Sequence, residues 1–201
     1  MELLLIRHGE PVRIEGGDGP ADPVLHDRGH EQAERLADYL ASEAIDGIYT
    51  SPMRRASQTA APLAAARNLS AVVDEALAEY DRHATFYVPV EELRALKDER
   101  WQAMVAGDYS MYGIDPVAFR ATVVETMERI VEAHPGGRVA VVCHGGVINA
   151  YVGFVVGIGR LGWYNPDYTS LNRIAASRGG VRSVLALNET AHLRGTGLLH
   201  R

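Results

Sequence analysis

The sequence contains a single cysteine, Cys143, so an internal disulfide is excluded and a reducing compartment is favoured. No apolar run approaches the length of a membrane-spanning helix. The first residues also lack the basic stretch and the apolar core of a secretory signal. We therefore expect a cytoplasmic protein that does not enter a membrane.

Positive charge is also scarce. The chain has 20 lysines and arginines against 26 aspartates and glutamates, and its formal net charge is −6. Such a chain has no basic excess to attract nucleic acid, so we expect no nucleic-acid partner. An anion bound by this protein must meet positive charge that is concentrated locally. The composition is otherwise that of an ordinary globular protein, 47% hydrophobic and 23% charged.

Two apolar runs stop abruptly at a histidine followed by a glycine. Residues 3–6 lead into Arg7 and His8, and residues 139–143 lead into His144. Each run is typical of a buried strand that delivers side chains to one edge of a sheet. The repetition predicts that the two imidazole rings meet at one site.

Strand and helix patterns alternate along the chain, which is typical of a layered α/β domain. We expect four strands, five helices and a closing hairpin: strands at residues 1–6, 45–50, 71–73 and 139–143, helices at 27–44, 52–67, 88–106, 116–133 and 147–156, and the hairpin at 171–176 and 183–187. No linker divides the chain. We therefore expect one domain of residues 1–201, with an insertion or lid at about residues 79–113.

Short segments near the predicted strand ends carry side chains suited to phosphate chemistry. They are Arg7 with His8, residues 51–60 with two adjacent arginines, a segment ending in Glu79, and His144. Ligands of open α/β sheets bind beyond the carboxyl ends of the strands, so these segments can converge. Arginine suits phosphate oxygens, and a histidine kept neutral by nearby arginines can attack phosphorus. A carboxylic acid must then protonate the leaving oxygen and activate water.

The ordered set of segments resembles the motifs of the histidine phosphatase superfamily, also called the phosphoglycerate mutase-like family. Leu-Ile-Arg-His-Gly-Glu at residues 5–10 resembles its signature, and residues 51–60 resemble its second phosphate-binding segment. Residues 144–145 resemble its late histidine motif, and residues 27–33 its turn into the first helix. The resemblance implies a three-layer α/β/α sandwich with a mostly parallel sheet.

The resemblance also implies a role for each side chain. His8 would be the nucleophile that becomes phosphorylated, and Arg7, Arg55 and His144 would hold the phosphate. Glu79 would be the general acid. The implied activity is hydrolysis of a phosphomonoester of a small metabolite, without a metal ion or a cofactor.

Alternatives to these residues exist in the sequence. Arg54 precedes Arg55, and the spacing to the following helix favours Arg55 as the pocket residue. Rival carboxylates for the acid are Glu10, Asp81, Glu91 and Glu92. We expect structural or surface roles for the other histidines, with a pocket role open for His83 and His192: His26, His30, His83, His134, His192 and His200.

Several positions depart from the family pattern. Pro11 and Ile14 stand where members often have threonine and asparagine, and the Gly-x-Trp-Glu-Gly segment is missing. Tyr80 follows the acid where mutases show Glu-Arg-His, and Gly146 stands where mutases show His-Gly-Asn. These departures favour hydrolysis over a cofactor-dependent phosphoglycerate mutase. A non-enzymatic phosphate-binding protein is the third alternative, and a homodimer is an open possibility.

Overall fold

The computed structural model describes residues 1–199. Its strands are β1 (Glu2–Arg7), β2 (Gly47–Thr50), β3 (Ala71–Val73), β4 (Arg138–Cys143), β5 (Leu171–Ala176) and β6 (Arg182–Glu189). They form one sheet in the order β3-β2-β4-β1-β5-β6. The first four strands are mutually parallel, and β5 and β6 are antiparallel to their neighbours. The predicted strands, the hairpin and the mostly parallel sheet are confirmed.

The helices cover both faces of this sheet. They are α1 (Asp27–Tyr39), α2 (Arg54–Arg67), α3 (Val90–Ala95), α4 (Glu99–Ala106), α5 (Pro116–Ala133) and α6 (Gly145–Val156). None of them, within residues 1–199, combines the length and the apolar character needed to cross a membrane.

Successive side chains of β1 point to opposite faces, and each face has its own core. Leu4 and Ile6 pack in a cluster with residues of α1 and α2, whereas Leu3 and Leu5 pack in a cluster with residues of α5 and α6. The chain therefore forms three layers, with the sheet in the middle. The predicted α/β/α sandwich is confirmed.

The single helix predicted for residues 88–106 is wrong, because the chain breaks it into α3 and α4. Lys97 has a φ of 51°, a left-handed conformation that no α-helix continues through. The carboxylate of Asp98 then accepts a hydrogen bond from the backbone N–H of Arg100 and caps α4. Periodicity extends across both pieces, so it does not reveal the turn between them.

The register of the central strands positions the site. β1 and β4 lie side by side in parallel, with Arg7 opposite Cys143. The backbone N–H of His8 donates to the carbonyl of Cys143 at 2.9 Å, which extends this pairing by one residue. Because both strands end at the same level, His8 and His144 leave the sheet next to each other.

Candidate active site

The two histidines predicted to meet do so. The ring centroids of His8 and His144 are 5.1 Å apart, and both side chains are buried. Neighbouring parallel strands deliver them from positions far apart in sequence. The repeated His-Gly ending of two apolar runs therefore gave a correct spatial prediction.

A hydrogen bond determines which ring nitrogen of His8 carries the proton. Nδ1 of His8 lies 2.7 Å from the carbonyl oxygen of Gly9, which only accepts, so Nδ1 carries the proton. In the neutral ring Nε2 then holds the free lone pair. Burial lowers the pKa of His8 well below its usual value, and the positive charges of Arg55 and Arg7 lower it further. His8 is therefore neutral and nucleophilic over the physiological pH range.

The two ring nitrogens of His144 differ in their hydrogen bonds. Its Nε2 lies 2.7 Å from Oγ of Ser51, a residue at the end of β2. Its Nδ1 is buried and has no hydrogen-bond partner among residues 1–199. Burial, followed by the charge of Arg55, lowers the pKa of His144 well below its usual value.

Arg7 is held in place from several sides. Its Nη1 donates to Oε1 of Glu91 at 2.6 Å and to the carbonyl of Pro166 at 2.6 Å. Its guanidinium carbon lies 4.1 Å from the ring centroid of Tyr168, a cation–π contact. Burial opposes the charge of Arg7, but the carboxylate of Glu91 raises the pKa of Arg7 above its usual value.

Arg55 is held in the same manner by a different carboxylate. Its Nη2 donates to Oδ1 of Asp81 at 2.8 Å and to Oδ2 at 3.1 Å. The guanidinium carbon lies 4.7 Å from the centroid of the Tyr87 ring. Arg54, its neighbour in sequence, is exposed, so the preference for Arg55 as the buried arginine agrees with the structure.

Four nitrogens in this centre have no protein partner. Nε of Arg7, Nε and Nη1 of Arg55, and Nδ1 of His144 are all buried and unpartnered among residues 1–199. A buried polar nitrogen without a hydrogen-bond partner raises the free energy of the folded protein, so such a cluster indicates a site for a ligand. An oxyanion with several oxygens, such as phosphate, satisfies these donors together and matches their charge.

The carboxyl group of Glu79 lies beside this centre. Its Oε2 accepts a hydrogen bond from the N–H of Gly146 at 2.7 Å, and Oε1 accepts one from the N–H of Tyr80 at 3.0 Å. Burial raises the pKa of Glu79 to about 7, and the charge of Asp81 adds to the rise against those hydrogen bonds. A carboxyl group with this pKa can give and take a proton near neutrality.

The absence of a side chain at Gly146 leaves the space that the carboxyl group of Glu79 occupies. A Cβ atom at Gly146 would lie 2.2 Å from Oε1 of Glu79 and 2.6 Å from the ring of Tyr80. The glycine that departs from the His-Gly-Asn pattern of the mutases is thus required by the packing of the candidate acid.

Sequence reasoning missed the residues that support the arginines. Asp81 and Glu91 were considered only as rival acids, yet each pairs with a buried guanidinium group. Ser51 and Thr59 belong to the predicted phosphate-binding segment, but the sequence assigned no role to their hydroxyl groups. That of Ser51 lies 2.7 Å from Nε2 of His144, and that of Thr59 accepts from the N–H of Gly9 at 2.9 Å. Short polar side chains at strand ends and on helices carry no distinct sequence signal.

The remaining histidines lie elsewhere. His83 is exposed, and His192 contacts the ring of Tyr39 and the hydroxyl of Thr169. Neither lines the cavity that opens from the site. The surface or structural role expected for His200 concerns a residue outside the described part of the chain.

A cavity of ≈ 410 Å³ opens from His8 and from the carboxyl group of Glu79. Within residues 1–199, no three or more His, Cys, Asp or Glu side chains are grouped as ligands of a metal ion. The expectations of a metal-free and cofactor-free reaction stay predictions.

Comparison with known proteins agrees with the fold. A family model described as "Histidine phosphatase superfamily (branch 1)" matches residues 3–190. Phosphoserine phosphatase 1 of Hydrogenobacter thermophilus is 29% identical over 96% of this chain and 94% of its own length. Phosphoglycerate mutase-like protein 4 of Arabidopsis thaliana is 31% identical over 74% of this chain and 68% of its own length.

A solved structure has the same fold. The crystal structure of a mutant phosphoserine phosphatase from Entamoeba histolytica, in complex with phosphoserine, superposes with a TM-score of 0.76 at 20% identity. The match covers 96% of this chain and 98% of that one. Fold and site together define a phosphatase. The chain belongs to the histidine phosphatase superfamily, branch 1, as the resemblance implied.

Proposed function

We propose that this phosphatase hydrolyses small phosphomonoesters through a phosphohistidine formed on Nε2 of His8. The observation that carries the proposal is the cluster of buried, unpartnered nitrogens around the two imidazole rings. Arg7, Arg55 and His144 hold the phosphoryl oxygens in this scheme, and Glu79 handles the protons. The names of the Hydrogenobacter relative and of the Entamoeba structure, both phosphoserine phosphatases, support the substrate class.

The first step transfers the phosphoryl group to the enzyme. The lone pair of His8 Nε2 attacks phosphorus, the bond from phosphorus to the ester oxygen breaks, and the carboxyl group of Glu79 gives its proton to that oxygen. The carbonyl of Gly9 keeps the proton on Nδ1 throughout. The guanidinium groups stabilise the negative charge on the transferring group because they are fixed in place before the substrate arrives.

The second step returns the enzyme to its starting state. Glu79, now a carboxylate, takes a proton from a water molecule as the water oxygen attacks phosphorus. The bond from phosphorus to Nε2 breaks, its electron pair returns to His8, and inorganic phosphate leaves. The same carboxyl group therefore serves as acid and then as base.

Glu79 is the best candidate for this role because each rival carboxylate has another partner. Asp81 pairs with Arg55, and Glu91 pairs with Arg7. The remaining rivals, Glu10 and Glu92, pair with Arg28 and Arg13 respectively. Glu79 accepts only backbone N–H groups among the hydrogen bonds of the site, and its pKa is raised rather than lowered.

Residues 79–113 contribute side chains that cover the site. Tyr80 and Tyr87 from this segment line the cavity, as do residues of α3 and α4. We propose that the segment excludes water from the phosphoryl-transfer centre and forms part of one domain with the rest of the chain. A cytoplasmic location is proposed from the single thiol, Cys143, and the homodimer stays a prediction.

Steady-state hydrolysis of p-nitrophenyl phosphate tests the proposal. The variant His8→Ala should lose at least about 1,000-fold in kcat, because the covalent route is closed. His30→Ala is the matched control, since His30 is an exposed histidine of α1. Activity near the wild-type value in His8→Ala contradicts the proposal.

Analysis of the reaction products distinguishes the proposed hydrolase from the mutase alternative. A hydrolase should release inorganic phosphate from a phosphoglycerate with no isomeric phosphoglycerate formed. Transfer to a phosphoglycerate that outpaces release of phosphate would assign the mutase activity instead. Binding of phosphate with no turnover of any ester would assign a binding protein.

A further inference from the structure

We propose that the outer part of the cavity selects a phosphomonoester whose alcohol moiety is aromatic, or similarly flat and apolar, and carries a second negative charge. Arg94 and Arg160 would bind that second charge. The inference rests on the proposed function, because the alcohol moiety is the leaving group of that reaction. It names a substrate class for the same site.

The volume of the cavity exceeds the needs of a phosphate group. At ≈ 410 Å³ it falls in the range of sites that hold a small organic ligand. The phosphate centre contributes only part of the lining, with the buried side chains of His8 and Arg55, whereas Arg94 and Arg160 of the same lining are exposed. The outer space must therefore receive the rest of the substrate.

The wall of this outer space is mainly apolar and aromatic. Its members come from α4, from the segment that follows α4 and from the loop after α6: Trp101, Met104, Val105, Tyr109, Tyr112 and Trp163. Such a wall favours flat apolar groups, which gain contact area and ring–ring interactions.

The aromatic wall begins beside the candidate acid. The ring of Tyr80, the residue after Glu79, lies 5.1 Å from that of Tyr109 and 5.0 Å from that of Tyr112, between centroids. The leaving oxygen must be close to Glu79 to receive its proton. The group attached to that oxygen is consequently placed against the aromatic side chains.

The charges of the outer space have one sign. Arg94 of α3 and Arg160 of the loop after α6 both line the cavity. Neither side chain has a hydrogen bond or an ion pair within residues 1–199. Among the described residues, the carboxylates in the lining are those of Glu79 and Asp81, which belong to the phosphate centre. An anionic tail thus finds a partner in the outer space, whereas an ammonium group finds none.

The outer space fits a different substrate from phosphoserine, the compound in the names of two similar proteins. Phosphoserine has a carboxylate that the arginines could bind, but it has no flat apolar group to contact the aromatic wall, and its ammonium group meets no unpaired carboxylate among the described residues of the outer lining. We therefore expect phosphoserine to be a poor substrate compared with an aryl phosphate that carries a carboxylate.

The experiment compares kcat/KM for 4-carboxyphenyl phosphate, phenyl phosphate, 4-(aminomethyl)phenyl phosphate and phosphoserine. The ratio of the carboxylated to the plain phenyl ester should be at least about ten in the wild type, the effect of one charge-assisted contact. It should fall toward one in Arg94→Gln, in Arg160→Gln or in the double variant, with phenyl phosphate turnover unchanged. The aminomethyl ester and phosphoserine should be the weakest substrates.

Arg178→Gln is the matched control, because Arg178 is an exposed arginine of the turn between β5 and β6 and does not line the cavity. The difference in leaving-group acidity between the esters is the same in every variant, so only a change in the ratio reports the arginines. A wild-type ratio near one, or a ratio that survives the double substitution, overturns the inference. Turnover of phenyl phosphate that depends on His8 would still support the proposed function in that event.

Discussion

A single hydrogen bond gives His8 its chemistry. Because Nδ1 donates to the carbonyl of Gly9, Nε2 faces the site as an unprotonated nitrogen. Such a bond to the next residue's own backbone needs no distant partner. The same His-Gly sequence at residues 144–145 leaves Nδ1 of His144 without a partner, so the backbone geometry at the end of β1, and not the dipeptide alone, determines the tautomer of His8.

Removal of the transferable proton of Glu79 should slow the reaction to an extent that depends on the leaving group. Glu79→Gln keeps the shape of the side chain but removes the transferable proton, so the loss should depend on the leaving group. We expect kcat/KM to fall about 100- to 1,000-fold for an alkyl phosphate. The loss for p-nitrophenyl phosphate should be much smaller, since p-nitrophenolate leaves without help. Equal losses for both esters would contradict a role as general acid.

A second residue-level prediction concerns the glycine pair after His144. Gly146→Ala places a Cβ 2.2 Å from Oε1 of Glu79 and should displace the acid, whereas a Cβ at Gly145 meets nothing within 4 Å. We expect Gly146→Ala to lower kcat on an alkyl phosphate about ten-fold or more, with Gly145→Ala within about two-fold of the wild type. Kinetics of the two purified variants, with thermal unfolding as a check of folding, give the measurement.

Sequence alone reached the candidate site's central residues but not their supports. The arginines and histidines adjoin apolar runs or a helix start, so their position is readable. Asp81 and Glu91 pair with arginines 26 and 84 residues away in sequence. Ion pairs over such separations leave no local pattern, and the two carboxylates could only be noted as rivals for the acid.

At the scale of elements, α3 connects the wall of the cavity to the phosphate centre. It carries Glu91, whose Oε1 accepts hydrogen bonds from Nη1 of Arg7 at 2.6 Å and from Nδ2 of Asn165 at 3.2 Å. Burial opposes the charge of Glu91, but the guanidinium of Arg7 lowers the pKa of Glu91 to about 2. A short helix in the wall thereby orients a group that would bind the phosphoryl oxygens.

Glu91→Ala should release Arg7 and weaken binding of the phosphoryl group. We expect KM for p-nitrophenyl phosphate to rise about ten-fold and the free energy of unfolding to fall by about 2–3 kcal/mol, because a buried guanidinium loses its counter-charge. Glu91→Gln keeps an acceptor for Arg7 and should restore most of the binding. Kinetics and urea unfolding measure both effects.

Glu92→Ala is the matched control for that prediction. Glu92 is the next residue of α3, and its ion pair is with the half-exposed Arg13. Exposed pairs contribute about 0–1 kcal/mol, so this variant should resemble the wild type in KM and in stability. A KM for Glu91→Ala that matches that of Glu92→Ala would rule out the positioning role.

The elements themselves show where periodicity succeeds and fails. Apolar runs predicted the central strands because both faces of the sheet are buried. The break between α3 and α4 was not predicted, because a lysine such as Lys97 does not indicate a left-handed backbone conformation. The first helix was predicted to run to residue 44, but α1 ends at Tyr39 and a short 3₁₀ turn follows. Helix ends are set by local backbone geometry that apolar spacing does not encode.

At the scale of the whole molecule, an acidic chain concentrates buried arginines and histidines in one candidate anion site. The formal net charge is −6, yet two arginines and two histidines converge where the central strands end. The carboxylates of Asp81 and Glu91 offset part of that positive charge. On the proposed function, we expect the affinity for phosphate to come from the unpartnered nitrogens rather than from a large positive field.

The pH dependence of the enzyme follows from the same burial. The acid step needs protonated Glu79, whose pKa is about 7, so kcat/KM for an alkyl phosphate should fall above pH 7. His8 has a lowered pKa and stays neutral on the acid side, so it imposes no loss there until well below pH 6.5. The fall above pH 7 should be absent from the residual activity of Glu79→Gln. A wild-type profile that keeps rising to pH 9 would contradict the assignment.

The most direct measurement is rapid acid-free quenching of the enzyme with a ³²P-labelled ester, followed by mapping of the labelled peptide. The account predicts an acid-labile, base-stable phosphoryl group on His8, formed within one turnover and absent from His8→Ala. Glu79→Gln should accumulate more of it with a good leaving group, because the attack by water is slowed. A burst of product with no label on His8, or label on another residue, would contradict the covalent route.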